Sequence, residues 1–228
     1  MSKRQSEPAL EWRNGKVPVS LRFQDPYYSL EDGLAEARHV FLGGNDLARR
    51  LCDGFAIGEL GFGTGLNLLA TASLWRDLGR RGTLQYTSFE AFPMRADDMA
   101  QSLSAFPDLA GLADELVTAW AEGKRRFSLG GVAVSVIEGD ARQTLPAWEG
   151  SADAWFLDGF APARNPELWE EALLAEVARH TRPGGTAATY SAAGAVRASL
   201  ARAGFTVERR PGHGRKRHMT VARRIDRP

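Results

Sequence analysis

Apolar positions along the chain fall into two alternating rhythms. Short, nearly continuous apolar runs at 55–57, 83–90, 132–137, 154–157 and 186–190 read as strands buried on both faces. Between them, residues 66–78, two segments of 94–121 divided at Pro107, then 166–181 and 196–203 carry helical spacing. Asn165 followed by Pro166 marks a helix start, and Gly204 marks a helix end. Strand and helix alternate, which predicts an α/β fold with a parallel-dominated sheet. Residues 205–209 and 218–222 predict a closing antiparallel pair at one edge. Residues 126–129 and 132–137, separated by Gly130-Gly131, predict a β-hairpin. Pro183-Gly184-Gly185 reads as a turn into the strand at 186. Ahead of residue 55 the pattern weakens to a short edge strand at 17–23 and helical stretches at 34–39 and 46–51, interrupted at Gly43-Gly44.

The first predicted parallel strand runs into Glu59-Leu60-Gly61-Phe62-Gly63-Thr64-Gly65-Leu66-Asn67. Glycines there allow positive φ and let a ligand approach the backbone without meeting a Cβ. The spacing Glu-x-Gly-x-Gly-x-Gly differs from the Gly-x-Gly-x-x-Gly that seats a dinucleotide pyrophosphate. An acid ahead of the first glycine suits a cationic or polyhydroxylated ligand. The turn resembles the first motif of the S-adenosylmethionine (AdoMet) methyltransferases. Two further predicted strands end on acids, Glu90 and Asp140, and a fourth runs into Asp158-Gly159-Phe160-Ala161-Pro162. In doubly wound sheets, strand C-termini line the ligand crevice. Glu90 is placed to accept hydrogen bonds from ribose hydroxyls, and Asp140 to meet an adenine amino group. Asp158 sits where a transferred group would emerge.

Composition narrows the class. With 228 residues, 43% of them hydrophobic, the chain can bury a full core in one domain spanning 1–228. Its single cysteine, Cys52, cannot form an internal disulfide or a thiolate metal cluster, and the four histidines show no metal-binding spacing. No disulfide partner and no metal are expected. No apolar run reaches membrane-spanning length and the N-terminus lacks an apolar signal core, so a cytoplasmic protein without membrane contact is expected. The net charge of +1 hides an asymmetry: residues 201–228 carry nine basic and two acidic side chains. Such a basic end suits a polyanion.

Five stretches together are more specific than the glycine turn. They are Phe23-x-Asp25-x-Tyr27-Tyr28-Ser29, Val40-Phe41-Leu42-Gly43-Gly44-Asn45, the turn from Glu59 to Asn67, Leu157-Asp158-Gly159-Phe160-Ala161-Pro162-x-x-Asn165-Pro166, and Gly212-x-Gly214-Arg215-Lys216-Arg217-x-Met219. In this order and over nearly the whole chain, they resemble the tRNA 5-methylaminomethyl-2-thiouridine methyltransferases, either the stand-alone type or the methyltransferase half of the bifunctional type. The resemblance implies a Rossmann-like class I AdoMet-dependent methyltransferase fold: a mostly parallel seven-stranded sheet with an antiparallel edge strand. It also implies an inserted β-hairpin and an N-terminal extension, residues 1–45, that forms part of the active-site cover. The activity implied is methyl transfer from AdoMet to the primary amine of 5-aminomethyl-(2-thio)uridine at the tRNA wobble position, within the anticodon stem-loop.

By the same resemblance Asp158 is the catalytic aspartate. AdoMet falls on Glu59, Gly61, Phe62, Gly63, Gly65, Asn67, Glu90 and Asp140, with Asp158 at its reactive end. Tyr28, Phe160 and Pro162 are candidates to surround the target base, since single-stranded RNA bases stack on aromatic side chains. Arg215, Lys216 and Arg217 are candidates for phosphate contacts. The chain has no second glycine fingerprint up to Pro228, so no flavin is expected. A small-amine methyltransferase or aminopropyltransferase, or a non-catalytic AdoMet- or RNA-binding module, are the competing readings. The basic Arg215-Lys216-Arg217 run favours RNA.

Overall fold

A computed structural model describes residues 7–29, 32–214 and 216–225. Strands β1 (Leu10–Arg13), β2 (Val17–Ser20) and β3 (Asp25–Pro26) form a small antiparallel sheet of their own. Helix α1 (Gly33–Ala37) follows, capped by Asp32, whose Oδ1 accepts from the Ala35 N–H at 2.8 Å. It runs directly into a π-helical turn at Arg38–Gly43, then α2 (Leu47–Arg50). The core then alternates: β4 (Ala56–Leu60), α3 (Leu66–Asp77), β5 (Leu84–Glu90), α4 (Ala96–Leu103), α5 (Ala110–Ala121), β6 (Arg126–Leu129), β7 (Val132–Glu138), α6 (Ala141–Thr144) and β8 (Ala152–Leu157). After these come α7 (Glu171–Arg179), β9 (Thr181–Thr189), α8 (Gly194–Arg202), β10 (Phe205–Pro211) and β11 (His218–Arg224).

The main sheet has the order β10-β11-β9-β8-β4-β5-β7-β6. Strands β9, β8, β4, β5 and β7 pair parallel, as their two-sided apolar runs require. Successive residues of each strand feed two cores. Ile57, Tyr86 and Phe156 pack with α3, α4 and α5 on one face, whereas Leu60, Phe89 and Trp155 pack with α6, α7 and α8 on the other.

Three details depart from the sequence expectation. The sheet has eight strands, not seven, and both edges are antiparallel: β10 and β11 at one side, β6 at the other. The 126–137 hairpin is therefore not a separate insertion. Its two-residue Gly130-Gly131 turn forces an antiparallel neighbour onto β7, and Leu129 drops into the core. Pro183-Gly184-Gly185 lies within β9, in a bulge where pairing with β8 shifts from Ala152–Thr181 to Ala154–Thr186. The helix expected over 166–181 is a 3₁₀ turn (Pro166–Trp169) and then α7. They are separated because Glu170 is extended, with ψ at 141°, while the buried Trp169 indole donates to the Phe160 carbonyl.

The parallel strand ends crowd at one point. Gly61, φ +89°, passes the end of β8 so closely that a Cβ there would stand 2.1 Å from the Asp158 carbonyl oxygen. Both the left-handed conformation and the contact demand glycine. Gly61→Ala should destabilise the protein by at least about 2 kcal/mol, the combined scale of left-handed strain and backbone displacement. Chemical denaturation of the variant measures this, and an unchanged midpoint would contradict the close approach.

Candidate active site

The C-terminal ends of β4, β5, β7 and β8 open onto one cavity of about 840 Å³. Gly61, Gly63, Asn67, Glu90, Asp140 and Asp158 stand on its wall. The glycine turn, the acids of β5 and β7 and the aspartate after β8 are thus brought together, as the doubly wound topology dictates.

Asn67, in the first turn of α3, is the joint of the site. Its Nδ2 donates to Glu59 Oε1 at 3.0 Å and to Asp158 Oδ2 at 2.6 Å. Glu59 is 1% exposed and lies below the cavity, off its wall. Its side chain turns inward from β4, and its link to the cavity wall runs through Asn67. Burial pushes the Glu59 carboxyl up to about 8, opposed by Ser88 and Asn67 and reinforced by the Asp158 charge. Glu59 Oε2, Ser88 Oγ and Tyr86 Oη face one another without a partner at hydrogen-bonding geometry among the described residues. Burial also pushes Asp158 up to about 7, with Asn67 and then Lys216 pulling it down. Two acids share one amide, and the deeper one binds its proton more tightly.

Glu90 and Asp140 meet backbone or side-chain donors before any ligand. Glu90 accepts from the Gly63 N–H at 2.9 Å and the Phe92 N–H at 2.7 Å. Burial raises its pKa and these amides hold it down. It therefore clamps the glycine turn onto β5, with its remaining lone pairs left for a ligand. Asp140 caps α6 through the Arg142 N–H and pairs with the Arg142 guanidinium at 2.6 Å. That arginine also meets Glu170 at 3.0 Å and holds the Asp140 carboxyl below its usual range.

Aromatic groups roof the opening. Phe160 stacks on Phe23 with centroids 4.7 Å apart and meets the edge of Tyr27 at 5.0 Å. Asp25 Oδ2 accepts from the Ala161 N–H at 2.8 Å, tying β3 to the loop that follows β8. Tyr28 lines the cavity, but its hydroxyl lies within hydrogen-bonding distance of the Lys16 carbonyl at 2.9 Å and the Ser102 carbonyl at 3.1 Å, and its ring packs edge-on to Phe106. Phe62 stacks on Trp120 at 5.0 Å. Two expected residues stand off the wall. Pro162 is half-buried outside it, and Gly65 is buried beneath it, where a Cβ would meet Leu116 at 2.6 Å.

The basic run splits. Arg215 lies outside the described residues. Arg217 is exposed and away from the cavity. Lys216 turns inward: its Nζ sits 2.8 Å from Glu36 Oε1 and 3.8 Å over the Tyr190 ring, on the cavity wall. Glu36 and Tyr190 were not anticipated. Glu36 lies in a five-residue helix that packs against α3, and Tyr190 is one residue beyond β9, where only the strand-end rule could have flagged it.

Residues 107–225 match the profile of a family described as S-adenosyl-L-methionine-dependent methyltransferase. The bifunctional tRNA 5-methylaminomethyl-2-thiouridine biosynthesis protein MnmC of Caulobacter sp. (strain K31) is 45% identical over 93% of this chain, and the chain covers 38% of that protein. The protein of the same name from Leptospira borgpetersenii is 42% identical over 94% of the chain, which covers 34% of it. The chain thus spans a little over a third of the length of the curated relatives it matches. Among solved structures, MnmC2 from Aquifex aeolicus superposes with a TM-score of 0.77 at 24% identity, covering 99% of this chain and 72% of its own. A methyltransferase from Pyrococcus furiosus superposes with a TM-score of 0.51 at 16% identity, covering 87% of this chain and 88% of its own. Among the described residues, no cluster of three His, Cys, Asp or Glu side chains could hold a metal ion, and no helix is long and apolar enough to cross a membrane.

The buried acids set a pH dependence of stability. Glu59 ionises near 4.5 unfolded and about 8 folded, so between these values the folded chain holds more protons. Stability then falls as pH rises through that window. Asp158, at 3.8 and about 7, acts in the same direction. Glu59→Gln keeps an acceptor for Asn67 and cannot ionise. Relative to the parent, it should melt equally near pH 5 and gain stability towards pH 9. The gain should reach up to a few kcal/mol, because each tenfold difference in proton affinity between the folded and unfolded chain is worth about 1.4 kcal/mol. Thermal melts at the two pH values check this; a difference that does not grow with pH would refute it.

Proposed function

Because the chain belongs to the S-adenosyl-L-methionine-dependent methyltransferases, we propose that this cavity methylates the primary amine of 5-aminomethyl-(2-thio)uridine at the wobble position of tRNA. The names of relatives matching over nearly the whole chain support the substrate. A tRNA substrate would place the protein in the cytoplasm. The observation that carries the reading is Asp158: a carboxylate fixed by Asn67 at a strand end, under an aromatic roof and beside a glycine turn.

The residues present fit AdoMet. A cavity of about 840 Å³ has room for a nucleoside cofactor and a second base. Gly61 and Gly63 leave bare backbone on its wall, and three carboxylates face a space suited to a cation. Residues 61–67, Glu90 and Asp140 would hold the molecule, with Glu59 acting at one remove through Asn67. Bound AdoMet supplies a methyl group on a sulfonium.

The protein's part is to present the acceptor nitrogen correctly. Asp158 accepts an N–H of the amine, aims its lone pair and compensates the positive charge that grows on nitrogen. A nearby carboxylate also favours the unreactive ammonium, whereas the dry surface of Phe160, Phe23 and Tyr27 disfavours it. Phe160 is placed to stack on the splayed base. Tyr28, its hydroxyl already committed, shapes the wall.

Incubation with labelled AdoMet and tRNA lacking this methyl group, followed by nucleoside identification, tests the reading. Label in any nucleoside other than the wobble uridine, or none, would sink it. Asp158→Asn retains the shape and an acceptor for Asn67 but not the charge. It should lower kcat by about 10²-fold or more, with AdoMet affinity changing less. The parent kcat should rise with pH through the neutral range as the carboxyl ionises, and the variant should lose that contribution. Near-normal turnover in Asp158→Asn would leave the aspartate a turn residue only.

Arg217, exposed and next in sequence to Lys216, is the accessible member of the basic run for RNA phosphate. Arg217→Ala should raise KM for tRNA and reduce the slope of its log–log salt dependence by about 1. An unaltered slope would remove Arg217 from the RNA interface.

A further inference from the structure

We propose that Glu36 and Tyr190 form, with Asp158, the subsite that receives the primary amine of the substrate, and that Lys216 is an internal primary ammonium occupying this subsite until the substrate amine displaces it. The inference rests on the amine-methylating reading above and identifies the residues that recognise the amine.

The geometry around Lys216 Nζ is that of a built ammonium cage. A carboxylate oxygen, Glu36 Oε1, lies 2.8 Å away, and the face of Tyr190 lies 3.8 Å away. Asp158 lies on the wall of the same cavity, and the Lys216 charge lowers its pKa while the Glu36 charge raises it. The ammonium thus meets one carboxylate and an aromatic face, with the Asp158 carboxylate on the same cavity wall, a combination that suits an alkylammonium ion. All four side chains line the cavity that holds Asp158. The Glu36 side chain is only 10% exposed, so leaving it unpaired there would be costly.

Lysine and an aminomethyl group carry the same cationic end, a primary ammonium with three donors. A pocket complementary to one is complementary to the other, and hydroxymethyl or unsubstituted uridine offers no charge to replace. Tyr190 is fixed for the purpose, because its hydroxyl donates to the Gly159 carbonyl at 2.5 Å and its face is left towards the cation. Lys216 can depart without disturbing the core. Its side chain is 41% exposed and rides on the 212–217 loop, whose base is closed by backbone bonds from Gly212 to Arg217 and from Lys216 to His213. Displaced outward, it joins the exposed Arg217 on the face where RNA phosphates would lie. Entry of the substrate amine and release of a cation toward the RNA become one exchange.

The test compares two anticodon stem-loop RNAs, identical except for 5-aminomethyluridine or 5-hydroxymethyluridine at the wobble position. Equilibrium binding to the protein is measured with S-adenosylhomocysteine present. The readout is the ratio of the two affinities, which cancels any general effect on RNA contacts. The parent should prefer the amine. Glu36→Gln should cut that preference at least about 10-fold, as expected for loss of a charge-assisted contact. Glu36→Asp should keep part of it. Lys216→Ala should raise the preference several-fold, because the competing ammonium is gone. S-adenosylhomocysteine affinity, measured alongside, shows whether each variant is folded. A preference unchanged in both Glu36→Gln and Lys216→Ala would overturn the inference while leaving the amine substrate standing. A parent protein that binds both RNAs equally and transfers no methyl group to the amine would overturn the substrate reading itself.

Discussion

One side-chain amide holds this site together. Asn67 commits its Nδ2 group to Glu59 and Asp158, two acids that would repel if both were charged and would wander if neither were held. Taking both out of water raises both proton affinities, and the deeper of the two is the more costly to charge. The result is an ordered pair in which Glu59 keeps its proton to higher pH and Asp158 carries the exposed, ionisable edge. Because Asn67 begins α3 and Glu59 ends β4, this pair also fixes how the first helix leaves the first parallel strand. The geometry of the Asp158 carboxylate is therefore set by the central α/β unit and not by the loop that carries it.

The parallel sheet supplies the rest by convergence. Strand ends β4, β5, β7 and β8 deliver backbone, carboxylate, carboxylate and carboxylate to one edge, and the N-terminal segment closes the open side with rings. Division of labour follows burial. Glu90 organises the glycine turn through two amide hydrogens, Asp140 starts a helix and anchors Arg142, and only Asp158 presents a carboxylate whose other neighbours are a cation and an aromatic cage.

Much of this was legible along the chain because it is local. An apolar run that stops at an acid is a strand end, and four of these located one edge of the sheet. What escaped was made by contacts between distant segments. Nothing near Glu36 signals that the one charged residue of a short apolar helix becomes buried and pairs with Lys216. Lys216, inside a run of basic residues, reads as a phosphate contact until the fold places an acid and a ring beside it. The hairpin at 126–137 was visible from Gly130-Gly131, but its partner was not: pairing β6 to β7 is a property of the sheet edge. Glu59 was found as a strand-end acid, but its link to Asn67 and its burial beneath the wall were not legible, since alternation specifies which faces differ but not what each one meets.

The bond from the Ala161 N–H to Asp25 spans 136 residues of chain, and the Phe23–Phe160 stack beside it closes a loop of similar length. Closing so long a loop loses entropy that only an already assembled sheet can offset. The roof therefore belongs to the last stage of folding, after β4, β5, β7 and β8 have aligned. During synthesis, the chain ahead of Phe160 can build strands and helices around the glycine turn, yet a chain halted there has nothing to latch its own N-terminus against. The roof is complete only when the two ends of that long loop meet.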